Sequence, residues 1–176
     1  MKVSAVIVTR GDVSLASCLS TLDADEIIIR RGHGGVWERY EAAAAARHDV
    51  ICTLDDDCVV EMNRVLDEYR EGLVVCNMPA WKRYEYTDGL ALVGWGAVFH
   101  KSALSVFERY RQMFAEDGLF FREADRVFTG LNPLKLIDVP FVRLPSAYGL
   151  DRLGAQPEHG ECLQEIRKRI YAVRNG

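Results

Sequence analysis

Three consecutive aspartates, Asp55, Asp56 and Asp57, close the apolar run "VICTL" and are followed at once by "CVV". Adjacent carboxylates repel one another unless a cation or hydrogen-bond donors offset them, and oxygen ligands on a short turn suit Mg²⁺ or Mn²⁺ with substrate phosphates completing the shell. The ordinary alternative is a solvated acidic turn or an acidic helix start. In "LVGWGAVFHKSAL", Gly94 and Gly96 flank Trp95. The glycines let the backbone approach a ligand while the indole offers a flat face to a sugar ring or base; a β-bulge with Trp95 in the core explains the same pattern. In "READRVFTGL", Glu123 and Asp125 open a helical pattern, where the helix dipole favours a carboxylate and a general base could sit. His159, in "QPEHGE", is either a solvated loop side chain or an imidazole brought to a metal.

The elements that must position these groups alternate. "KVSAVIVT" is a strand, and "RGD" a turn in which Asp12 is the expected N-cap of a helix over "VSLASCLSTL". "DEIIIR" is a second strand, "VWERYEAAAAAR" a helix and "DVICTL" a third strand that delivers the aspartates. "NRVLDEYREG" predicts a helix closed by Gly72, and "LVVCNMP" a fourth strand stopped by Pro79. Helices are expected over "ALSVFERYRQMF", "EADRVFTGL" and "ECLQEIRKRIYAV", with one strand over "KLIDVPFVRL". Strands alternating with helices at this spacing imply βαβ units and a parallel sheet, whose ligands bind outside the carboxyl ends of the strands.

Length and composition fit one compact domain: 176 residues, 49% hydrophobic and 27% charged. A net charge of -4 provides no global basic field for a polyanion. Five cysteines without a CxxC pair suit reduced thiols, and no segment approaches the ~20 apolar residues of a membrane span, so a cytoplasmic protein is expected.

Taken in order, "VSAVIVTR", "GVWERYEAAAAARHDVICTLDDD", "GWGAVFHKSAL" and "ADRVFTGLNPLKLIDVPFVRLP" resemble the motifs of a GT-A glycosyltransferase of the broad family 2 type. The resemblance covers most of residues 3 to 145 and implies a Rossmann-like α/β/α sandwich with a mostly parallel central sheet. Residues 1–78 would form a nucleotide-sugar half and 79–176 an acceptor half. It further implies an Mn²⁺ or Mg²⁺ cofactor held by Asp57, with His159 as a C-terminal metal ligand. Asp55 would contact ribose or a metal-bound water, and Asp56 would lie beside them in the donor site. Thr9, Arg10 and Asp12 fall where the family meets the nucleotide base, and Arg39 at a basic position near the diphosphate. Asp125 matches the catalytic base, and Gly94, Trp95, Gly96 and Arg126 fall on the acceptor side.

Two departures stand out: the family's "ED" reads "AD" here, with Ala124 in the Glu position, and the second strand ends in Arg30 and Arg31 where acidic residues are usual, so that Arg30 would fall in the donor site in their place. The implied reaction moves a sugar from a UDP- or GDP-sugar to a hydroxyl of modified DNA, a glycan or a lipid-linked acceptor. Inversion is the expected course, and a retaining one stays open. A nucleotidyltransferase would normally carry a glycine- and lysine-rich loop after strand one, whereas "TRGDVS" has one glycine and no lysine. A non-catalytic nucleotide-sugar-binding protein is the other alternative.

Overall fold

Along the first strand, Val3, Ala5 and Ile7 pack into one apolar layer and Val6 into a second on the opposite face, the period-two pattern of a strand covered on both sides. The computed structural model describes residues 1–31, 35–86, 89–145 and 158–176. The strands among them are β1 (Val3–Thr9), β2 (Glu26–Arg31), β3 (Val50–Asp55), β4 (Cys58–Val60), β5 (Val74–Asn77), β6 (Ala97–His100), β7 (Leu134–Ile137) and β8 (Phe141–Arg143). Six of these form a mostly parallel central sheet in the order β2-β1-β3-β6-β5-β7, and β4 and β8 pair separately. Only β6 runs against its neighbours β3 and β5.

Helices flank both faces. The short α1 (Ala16–Leu19) and α3 (Met62–Asp67) cover Ile7, Leu54 and Val75. On the other face lie α2 (Glu38–Ala45), α4 (Val106–Arg111), α5 (Gly118–Arg122), α6 (Ala124–Leu131) and α7 (His159–Asn175). Their core is aromatic: Tyr40 meets Phe107 and Phe128 with ring centroids 4.8 and 5.0 Å apart, distances that favour tilted and edge contacts. All five cysteines are free, and four are buried.

Several expectations change. The helix after β1 starts at Ala16 with Leu15 at its N-cap, so Asp12 does not cap it. α3 ends at Asp67, and Gly72, at φ +82°, instead closes a separate turn in which Leu73 N donates to Arg70 O at 3.0 Å. "KLIDVPFVRL" splits into β7 and β8, which belong to different sheets. The break is clamped by the buried Asn77, whose Nδ2 donates to Val139 O at 3.0 Å and to Trp95 O at 3.1 Å, while its Oδ1 accepts from Val139 N at 2.8 Å.

α7 packs closely on α6 because Gly130 has no side chain: a Cβ there would sit 2.8 Å from Leu90 Cδ2 and 2.9 Å from Ile170 Cγ2. Gly130→Ala would gain at most about 1 kcal/mol of helix propensity, against about 1–3 kcal/mol for overpacking a stiff, buried Ile170. A net loss of about 1 kcal/mol is expected in urea unfolding; a raised midpoint would show that the contact relaxes freely.

Candidate active site

The carboxyl ends of β1, β3 and β5 lie on the side where the antiparallel β6 begins, so Thr9, Asp55, Asn77 and the Gly94–Gly96 segment converge at one edge of the sheet. Asp55 N donates to Gly94 O at 2.8 Å, and Asn77 N to Gly96 O at 2.7 Å. A Cβ on Gly94 would fall 2.1 Å from Asp55 Oδ2, so only glycine lets this segment lie against the carboxylate. Gly96 has φ +100°, in the region that favours glycine, and completes the turn into β6.

The three aspartates point to three different partners. Asp55 ends β3, and its Oδ1 accepts from Arg39 Nη2 of α2 at 2.5 Å. Asp56 turns to β1, where its Oδ2 accepts from Thr9 Oγ1 at 2.5 Å, and that hydroxyl in turn accepts from Gly11 N at 2.8 Å. Asp57 turns to the small sheet, its Oδ2 accepting from Arg143 Nε at 2.8 Å and its backbone O from Leu144 N at 2.6 Å. The repulsion read in the sequence is thus relieved by two guanidinium groups and a hydroxyl. Burial, with Asp55, Asp12 and Asp57 adding to it, still pushes the Asp56 carboxyl above its usual range despite the Thr9 hydrogen bond.

Arg39 joins the aspartates to a residue far along the chain. It is only 3% exposed, and its Nε lies 3.7 Å from Asp125 Oδ1 at the head of α6. Tyr40 OH donates to the same Asp125 oxygen at 2.8 Å, and Val93 N to Oδ2 at 3.4 Å. Burial alone would drive the guanidinium towards neutrality, but Asp125 and then Asp55 more than offset that and hold its charge. Asp125, 4% exposed, has its carboxyl raised by burial against the opposing pull of Arg39 and the Tyr40 hydrogen bond. Arg39 Nη1 is buried and has no hydrogen-bond partner among the described residues, an orphan donor next to the acidic turn.

The other residues singled out in the sequence are distributed more widely. Arg10 and Asp12 lie in the loop after β1, Asp12 close enough to disfavour charge on Asp56. Arg30 is exposed on the edge strand β2, in register with Val8, which is in turn in register with Asp55; two strand spacings put the two backbones about 10 Å apart. Trp95 is 7% exposed and stacks on Phe141 at 5.5 Å, so its ring belongs to the core. In the Ala80–Tyr86 3-10 turn it is Trp81 that stands exposed, with Lys82 Nζ 5.6 Å from its ring centroid. Arg126 makes a close ion pair with the fully buried Glu123. His159 opens α7 next to Arg122, Nδ1 3.5 Å from Nη2, and its pKa is lowered by burial and by Arg126. It therefore sits with the Glu123 cluster and not with Asp57.

As donors for a hard cation, Asp55 and Asp57 have suitable chemistry, though each now holds a guanidinium that a cation would have to share or displace. Among the described residues no group of three or more His, Cys, Asp or Glu is arranged to hold a metal ion. Any such ion would need further ligands from its substrate.

No family model matches the chain, and no curated protein matches it. Among solved structures the chain is similar to A197 from STIV. The identity is 14%, the match covers 83% of this chain and 87% of that one, and the TM-score is 0.50. At that identity the likeness is one of fold, a mixed α/β architecture around the central sheet. No helix among the described residues is long and apolar enough to cross a membrane.

Sequence reasoning missed Tyr40, Arg143 and Asn77. Tyr40 had a signal in its position beside Arg39 on a helix rich in small residues, which buries whatever faces the sheet. Arg143 had none, because its partner Asp57 lies 86 residues away.

Proposed function

We propose that this protein is a GT-A-type glycosyltransferase of the family 2 kind, moving a sugar from a UDP- or GDP-sugar to an acceptor hydroxyl. The observation that carries the reading is the buried Arg39, which ties Asp55 at the carboxyl edge of β3 to Asp125 at the head of α6. These are the residues that the motif resemblance assigns to donor and base. An arginine with an orphan buried Nη1, flanked by acidic groups that keep it charged, suits the oxygens of a leaving diphosphate.

Mg²⁺ or Mn²⁺, held by Asp57 with Asp55 meeting the ribose or a metal-bound water, would supply charge neutralisation to that diphosphate. Thr9 fixes Asp56 and the loop after β1, where the nucleotide base would lie. Asp125 would take the acceptor proton; its raised pKa moves it towards the range useful to a general base. Gly94 keeps the backbone low against the Asp55 carboxylate, which a side chain there would displace. The acceptor hydroxyl would belong to modified DNA, a glycan or a lipid-linked acceptor.

The deep burial of Asp125 favours one rival, a non-catalytic nucleotide-sugar binder in which Asp125 only secures Arg39. Binding is tested first. Mn²⁺ with UDP or GDP at about a hundredfold excess over Kd should stabilise the protein by about 2.7 kcal/mol, roughly 5–10 °C for a chain of this length. Asp57→Asn should abolish the shift. A wild-type protein that shows no shift with either nucleotide would remove the donor site.

A further inference from the structure

Away from the acidic turn, the C-terminal part of α7 walls an open cavity of about 610 Å³ lined by Leu90, Arg167, Lys168, Ile170, Tyr171 and Arg174. Leu90 and Ile170 are buried and form its apolar floor. Among the described residues that line it, three are cationic and none is acidic, in a chain whose net charge is -4. α7 sorts its charges. Arg169 turns away, donating to Asp117 Oδ2 at 2.8 Å, Glu165 Oε1 at 3.2 Å and Tyr110 OH at 3.2 Å. The other three cations of this stretch face the cavity. Arg174 is anchored at its wall by Nε donating to Gly130 O at 2.6 Å, and Lys168 Nζ lies 4.0 Å from Glu165 Oε2. Tyr171 is 70% exposed, a large ring held out in water at the rim of an apolar floor.

We propose that this cavity binds a nucleotide phosphate, with the phosphate against Arg167, Lys168 and Arg174 and the base stacked on Tyr171. The volume lies within the range of small-ligand sites. Guanidinium forks match phosphate oxygens, and an exposed aromatic ring stacks on any base. The site is distinct from the acidic edge. Gly130, whose carbonyl holds the cavity-lining Arg174, lies five residues past Asp125 on α6, about 7–8 Å along the helix axis. The nucleotide comes either free or as a unit of a single strand, and the two sources share this chemistry.

The test is fluorescence anisotropy with a short fluorescein-labelled oligothymidylate in EDTA, which silences binding that depends on a divalent cation. Binding is expected, with log affinity falling against log salt at a slope of roughly -2 for three phosphate-facing cations. The paired substitution R167E/K168E and the single Y171A should each weaken it by about tenfold or more. Both variants should keep the wild-type response to Mn²⁺ with UDP, so a failure here is separable from a failure of the donor site. Displacement by AMP identifies a single-nucleotide occupant, and resistance to AMP with retained sensitivity to R167E/K168E identifies a strand. Failure of both oligothymidylate and AMP to bind, or binding unchanged in both variants, overturns the proposal. Displacement by inorganic phosphate with no effect of Y171A overturns the nucleotide.

Discussion

Arg39→Met is expected to lower the unfolding free energy by about 3–5 kcal/mol, because it leaves the carboxylate of Asp125 buried without its counter-charge. Asp55 loses the same partner but is half-exposed and can turn to water. Neutralising both buried groups together should restore most of the stability: R39M/D125N is expected well above R39M in urea unfolding, since exchanging a buried pair for neutral groups is often close to neutral. The deficit should also depend on pH. The folded-state pKa of Asp125 is raised above its ordinary value of 3.8, so the folded protein binds that proton more tightly than the unfolded chain does. Its contribution is therefore most favourable at acid pH and is lost as pH rises from the unfolded value through the folded one. Without Arg39 the loss deepens. The gap between wild type and R39M should widen from acid to neutral pH, and a gap constant across that range would mean that Asp125 is not the group left unpaired.

Asp125→Asn separates catalysis from architecture. Asparagine keeps an oxygen to accept from Tyr40 OH, and Arg39 keeps Asp55, so the fold and the stabilisation by Mn²⁺ with UDP should survive. An amide cannot take a proton. If Asp125 is the base, transfer should fall by about 10²–10⁴-fold, measured as nucleoside diphosphate released against hydroxymethylated DNA, simple glycans and lipid-linked acceptors. A variant that transfers normally would move the base elsewhere and leave Asp125 as the residue that positions Arg39.

Much of this was legible in the sequence. β1, β3 and α2 follow from β-branched runs and an alanine-rich stretch, and the placing of Asp125 at the head of a helix from an acidic residue before an apolar pattern. Strand direction was not legible, because the period-two pattern of β6 is the same whether it runs with or against its neighbours. The split of "KLIDVPFVRL" depends on Asn77, a side chain from another strand. The indole between two glycines fitted a ligand face and a core residue equally, and Phe141 decides for the core. The three aspartates announced an electrostatic problem, but its solution comes from α2, β1 and β8, and no local pattern encodes which carboxylate takes which partner.

The sheet order also bears on how the chain can assemble. β5 pairs with β6 and β7 and with no earlier strand, so a chain emerging from its amino end must carry Val74–Asn77 without a neighbour until His100 has been made. β1, β2 and β3 can close on one another well before that. A division of the sequence near residue 78 therefore cuts through the sheet: the last strand of the first half waits for the second. The aspartate turn is likewise synthesised before Asp125 and Arg143, so the acidic edge is complete only once both have joined it.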